Sequence, residues 1–244
     1  MSMLYLVRHG QASAGTHDYD RLSAIGQRQS ELLGQWWKSQ GFVPDAVHHG
    51  SLVRQRHTAS LALSAHDNIE CQEHSGLNEY DHQVIDLHYG GGCQSDNPES
   101  LTFEDYVRIM AKWRDNDIHS HPGNAGDGHS LDSSIPDDQQ ATTGKVAIEP
   151  WSDFKQRGWQ TIKALHKPEE KTRHEVYFTS GGVIATLLAT VLDLDFEHTI
   201  DAIWRIRNSS VTTLHFDGEN ARLVDFNTVP HLQTQSDPTL ITLI

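Results

Sequence analysis

The stretch that most restricts this chain is Leu4-Tyr5-Leu6-Val7 followed at once by Arg8-His9-Gly10. An unbroken apolar run of that length reads as a strand buried on both faces, the kind found in parallel sheets covered by helices. Open α/β sheets place their ligands at the carboxyl ends of such strands, so Arg8 and His9 are delivered to where a site is expected.

The pattern after it repeats the unit. Ser23 is a helix cap, and Ile25, Leu32, Leu33, Trp36 and Trp37 lie on one helical stripe that ends at Gly41. Ala46 to His49 predicts a second strand, and Ser51 a cap for a second helix through Val53, Ala59 and Leu63. Glu175 to Thr179 predicts a third strand, followed by Ser180-Gly181-Gly182 and an apolar helix from Val183 to Leu192. Ser210 to Phe216 and Ala221 to Phe226, joined at Asp217-Gly218, read as a terminal hairpin. The expected fold is a three-layer α/β/α sandwich on a mostly parallel sheet. With 244 residues and 36% hydrophobic content, it is one domain, residues 1–244.

Residues 80–150 read as a cap and polar loop inserted into that domain. Thr102 to Asp105 resembles a capping box, and Phe103, Tyr106, Val107, Met110 and Trp113 continue at helical spacing. From Arg114 to Pro150 only eight of 37 residues are apolar and seven acids face two bases, so a surface loop is expected. Regular structure should resume at Ser152. Trp36, Trp37 and Trp159 are read as packing residues.

Arg8-His9-Gly10-Gln11, Leu22-Ser23-Ala24-Ile25-Gly26, Gly50-Ser51-Leu52-Val53-Arg54 with Thr58-Ala59, Leu77-Asn78-Glu79 and the Gly181-Gly182 turn occur in that order. In that order the sequence resembles the histidine phosphatase superfamily, the phosphoglycerate-mutase-like enzymes, over residues 3–80 and 174–227. The resemblance implies that His9 is the nucleophile, that Arg8 and Arg54 clamp the phosphoryl group, and that Glu79 is the general acid, with Asp81 in reserve and Gln11 beside the nucleophile. The residue types suit the task. Imidazole is largely neutral near pH 7 and its phosphoramidate hydrolyses readily. Guanidinium forks bind phosphate oxygens in pairs.

One position departs from the family. Where its members carry a second histidine before the paired glycines, this sequence has Ser180, which can donate one hydrogen bond but brings no charge. His82 could compensate if Asp81 raised its pKa; the plainer reading is a surface histidine. His119, His121 and His129, near Asp115, Asp117 and Asp127, match no metal-ligand spacing, and neither metal nor cofactor is expected.

The expected activity is metal-independent hydrolysis of phosphomonoesters, small molecules or phosphoproteins, through a phosphohistidine at His9, weakened by Ser180. The alternative is a module that binds a phospho-ligand or partner with little turnover; phosphoglycerate mutase is a lesser one. The formal charge of −14 argues against nucleic-acid and anionic-membrane binding. Two cysteines, no basic-then-apolar leader and an apolar stretch from Gly181 too short to span point to a cytoplasmic protein.

Overall fold

The computed structural model describes residues 1–13, 20–66, 69–89, 102–120, 148–167 and 170–243. A six-stranded sheet carries the architecture, in the order β3-β2-β4-β1-β5-β6. Its strands are β1 (Ser2–Arg8), β2 (Ala46–His49), β3 (Cys71–Glu73), β4 (Arg173–Thr179), β5 (Val211–Phe216) and β6 (Ala221–Thr228). The pairings from β3 to β1 are parallel, and β5 and β6 complete the sheet antiparallel. The sandwich read from the sequence is what forms.

Helices cover both faces. α1 (Ala24–Ser39) and α2 (Val53–Leu63) bury Val7, Val47, Val176 and Phe178 on one side, with Leu33, Trp37, Ala59 and Ala62 as their own contribution. On the other side α5 (Trp151–Leu165) and α6 (Gly181–Leu192) cover Leu4, Leu6, Tyr177 and Leu214. The opposite facing of Leu6 and Val7 is the two-residue alternation of a strand. Both faces are covered, which is why the run from Leu4 to Val7 has no polar member. Trp37 and Trp159 are buried, as expected of packing residues.

Several boundaries differ from the sequence reading. Ser23 caps α1, its hydroxyl accepting from Gly26 N. Ser51 does not cap α2: Leu52 is the cap residue, and the carboxylate of Asp20 accepts from Val53 N at 2.8 Å in its place. The helix α4 (Phe103–Ser120) runs through Arg114 to Ser120, where a loop was expected. Extending a formed helix costs little, and Arg114 gains a seat over the Phe196 ring, 4.1 Å from its centroid. The Thr102–Asp105 box closes as read: Asp105 N donates to Thr102 Oγ1, and the Asp105 carboxylate accepts from the Thr102 hydroxyl and from its backbone N–H. α5 starts at Trp151, one residue early. Two helices were not read from the sequence, α3 (His82–Tyr89) and α7 (Phe196–Arg205); a final short turn, α8 (Pro230–Gln233), follows β6. The rest of the expected polar loop, with His121, Asp127 and His129, lies outside the described residues, as do the side chains of Asp117 and His119.

The two helices of the first face touch through a glycine. A Cβ at Gly34 would run into the backbone of Ala62. Gly34→Ala should therefore push α2 from α1 and cost about 1–3 kcal/mol, the usual range for overpacking. A lowered urea midpoint checks this; an unchanged midpoint would show that the helices can separate freely.

Candidate active site

His9 directly follows β1, and the surrounding backbone fixes it. His9 N donates to Thr179 O at 2.9 Å and His9 O accepts from Ser209 N at 3.2 Å. The imidazole Nδ1 lies 2.7 Å from Gly10 O. A carbonyl can only accept, so Nδ1 carries the proton and Nε2 keeps its lone pair. Gly10 N in turn donates to Thr58 Oγ1 on α2 at 3.0 Å. A side chain on Gly10 would strike the backbone of Gly26, and one on Gly26 the backbone of Gln11, so the loop after β1 meets the first turn of α1 only as a pair of glycines.

One guanidinium touches the ring and a second acts on it through its charge. Arg54, from the first turn of α2 and 6% exposed, donates from Nε to His9 Nε2 at 3.2 Å. Its Nη1 meets Asp20 Oδ1 at 2.8 Å. Arg8 donates from Nη1 to Ile206 O and to Leu243 O, the latter at 2.5 Å. Its Nε passes close to Gly181, at the first turn of α6. Burial above all, then Arg54 and Arg8, holds the His9 imidazole well below the usual 6.5, against the Gly10 contact, which raises it.

Glu79 completes the cluster from the loop after the turn Ser75–Leu77. Its Oε2 accepts from Gly182 N at 2.9 Å and its Oε1 from Tyr80 N at 3.3 Å. Burial pushes this carboxyl above its ordinary 4.5, and it outweighs the backbone donors and the two arginines, which pull the other way. A Cβ on Gly182 would displace the Glu79 carboxylate from this position, so the glycine makes room for it. The sequence-predicted His9, Arg8, Arg54 and Glu79 thus converge.

Other candidates sit at the margins. Asp81 is exposed. Gln11 is turned to α1, where its Oε1 accepts from Ser23 Oγ at 2.8 Å. His82, the first residue of α3, is half-buried, and its pKa is lowered, by burial first and Arg54 second; Asp81 raises it too little to matter. The compensating rise that Asp81 could have given is therefore absent, and the preferred reading as a surface histidine is modified only in that the ring is half-buried. Ser180 is completely buried, and its Oγ accepts from Gln55 Nε2 at 2.8 Å; the same amide donates to Leu77 O at 3.0 Å.

Asp20 and Gln55 are the two members of this assembly that sequence reasoning missed. Neither had a local signal. Asp20 serves a helix that starts 33 residues later, and Gln55 is a polar residue buried against Leu77 O and Ser180 Oγ, which folding brings from distant parts of the sequence.

A pocket of about 390 Å³ adjoins Glu79, between Tyr80, Asp81, Ile85, Trp113 and the paired Glu149 and Arg157. A larger groove of about 530 Å³, along α5 and the β5–β6 turn, shares no residue with the cluster. Among the described residues, no three His, Cys, Asp or Glu side chains are grouped to hold a metal, and no helix is long and apolar enough to cross a membrane.

The space at position 180 is closed by Gln55. Ser180→His should overpack it and lower stability by about 1–3 kcal/mol, read as a drop in thermal midpoint. A midpoint equal to that of the parent would show an unfilled space beside Ser180.

The model of the histidine phosphatase superfamily (branch 1) matches residues 4–101 and 108–229. A 2,3-bisphosphoglycerate-dependent phosphoglycerate mutase from Afipia carboxidovorans is 29% identical over 143 residues, covering 55% of this chain and 65% of the relative. The chain therefore spans just under two thirds of that relative's length. Among solved structures, Bacillus stearothermophilus YhfR superposes with a TM-score of 0.61 at 18% identity, over 95% of this chain and all of the other. A phosphoserine phosphatase from Entamoeba histolytica, in complex with phosphoserine, gives 0.59 at 20% over the same shares. At those identities the likeness speaks for the fold, while the family match runs over most of the sequence. The chain belongs to the histidine phosphatase superfamily, branch 1.

Proposed function

We propose that this protein hydrolyses phosphomonoesters without a metal, through a phosphohistidine at His9. One observation carries the reading: a buried imidazole, its Nδ1 proton held by Gly10 O, turns its lone pair on Nε2 toward the guanidinium of Arg54. Phosphate bound by Arg54 and Arg8 would take over the Arg54 Nε–H as a donor to its own oxygen and lie against the lone pair so released. Nε2 attacks phosphorus, and the bond from phosphorus to the ester oxygen breaks. The arginines offset charge on the equatorial oxygens. Glu79, its pKa raised by burial, keeps the proton that the leaving alkoxide takes. The resulting carboxylate then draws a proton from water, which attacks the phosphohistidine and frees orthophosphate and His9.

The substrate is proposed to be a phosphorylated small molecule or phosphoprotein, with its alcohol part in the pocket beside Glu79. Solved neighbours include enzymes described as phosphoserine phosphatase and glucosyl-3-phosphoglycerate phosphatase. Ser180 is proposed to stand where related enzymes carry a second histidine. Held by Gln55 and uncharged, it leaves the site one cationic donor short, and a missing donor of this kind costs roughly 10²–10³ in rate. That loss also favours a second reading, a phospho-ligand-binding module with little turnover.

Hydrolysis of p-nitrophenyl phosphate, abolished in His9→Ala, is the expected result. The pH profile follows from the two shifts. His9 must be neutral to attack, so kcat/KM should persist below pH 6.5, where an ordinary histidine is half protonated. Glu79 must be protonated to donate, so the alkaline limb should fall above 4.5. Turnover that survives His9→Ala, or an acid limb at 6.5 or higher, would overturn the mechanism. Orthophosphate binding without turnover would select the binding module.

A further inference from the structure

Asp20 stands just ahead of α1, yet its carboxylate serves α2. Oδ2 accepts from Val53 N at 2.8 Å, and Oδ1 accepts from Arg54 N at 3.4 Å and from Arg54 Nη1 at 2.8 Å. α2 has no cap bond from its own Leu52. A carboxylate brought from elsewhere therefore satisfies the opening N–H groups and complements the positive end of the helix. Capping alone does not require the third contact, which grips the side chain as well as the backbone.

That grip has a geometric consequence. A guanidinium is planar, so fixing Nη1 on Asp20 fixes where Nε points, and Nε points at His9 Nε2, 3.2 Å away. Arg54 is nearly buried, with its side chain 7% exposed, whereas that of Asp20 is 33% exposed. Glu79 is a second carboxylate within the electrostatic reach of Arg54. An Arg54 released from Asp20 would find a partner there, and a Glu79 paired with it would be ionised and unable to donate.

Resting on the phosphatase reading, we propose that Asp20 is a positioning residue, holding the Arg54 guanidinium on His9 and away from Glu79. It touches neither substrate nor the reacting atoms. Among the described residues, the charged or titratable groups facing His9 include Arg8 and Arg54, and those facing Arg54 include His9, Asp20, Glu79 and His82.

The test compares Asp20→Ala and Asp20→Asn in the full chain. The amide oxygen of Asn can still accept from Val53 N, so Asp20→Asn keeps the helix cap and loses only the ionic hold on Arg54. Both variants should lower kcat/KM for p-nitrophenyl phosphate by roughly 10- to 100-fold, the scale of a misplaced positioning group. The profile should also narrow from both sides. His9, having lost its guanidinium neighbour, protonates at higher pH, and Glu79, having gained one, ionises at lower pH. A structural role would instead leave Asp20→Asn with the parental rate and profile, which overturns the proposal. His9 can also be titrated by NMR in the absence of any substrate. A higher His9 pKa in Asp20→Asn supports the positioning role, and an unchanged or lower one overturns it. This readout is independent of turnover. A parent protein that hydrolyses no ester defeats the phosphatase reading, whereas an active parent whose Asp20→Asn variant matches it defeats this inference alone.

Discussion

The short contact from His9 Nδ1 to Gly10 O is the constraint around which the site is arranged. It spends the one proton of a neutral imidazole on the backbone and leaves Nε2 as an acceptor. Every further group near the ring has to be compatible with that choice. Two guanidinium groups are, because they favour the uncharged ring, and so does burial at 5% exposure. Nearby cations ordinarily weaken a nucleophile. In the proposed phosphatase reaction these cations would keep the ring unprotonated and also meet the charge of an incoming phosphate dianion.

Glu79 meets the opposite requirement from the same surroundings. Burial favours its neutral acid form, while Gly182 N and the arginines favour the carboxylate. A group poised between these influences can give up a proton and take one back, which a fully ion-paired carboxylate could not. The fit of Glu79 against Gly182 ties the acid to the start of α6, and Arg8 passes the neighbouring Gly181. Gly182 thus gives the Glu79 carboxylate room at a helix terminus that Arg8 passes at ordinary contact distance.

Much of this was legible in the sequence, for identifiable reasons. Buried parallel strands need continuous apolar runs, so Leu4–Val7 and Glu175–Thr179 marked their own ends, and the polar residues just beyond them marked the site. β3 escaped because its three residues, Cys71 to Glu73, are half-buried or exposed and show no period. α2 was read with the wrong cap because Asp20 supplies the cap across a long sequence separation. The option that Asp81 would charge His82 rested on adjacency alone, whereas burial and a guanidinium from another helix lower its pKa. Local propensity reports what a segment prefers; the cap of α2 and the protonation of His82 depend on neighbours that only folding supplies.

The same dependence explains why α2 matters more than its modest apolar content suggests. Successive residues face different tasks: Arg54 reaches His9 and Asp20, Gln55 reaches Ser180 and Leu77 O, and one turn later Thr58 accepts from Gly10 N. These polar side chains are buried, and each would be costly there without its partner. The helix can present them only at one distance from β1, which the close approach of Gly34 to Ala62 sets from the opposite side. A shift in α2 therefore acts on several contacts at once, so packing on the α1 side and chemistry at His9 are linked through a single rigid element.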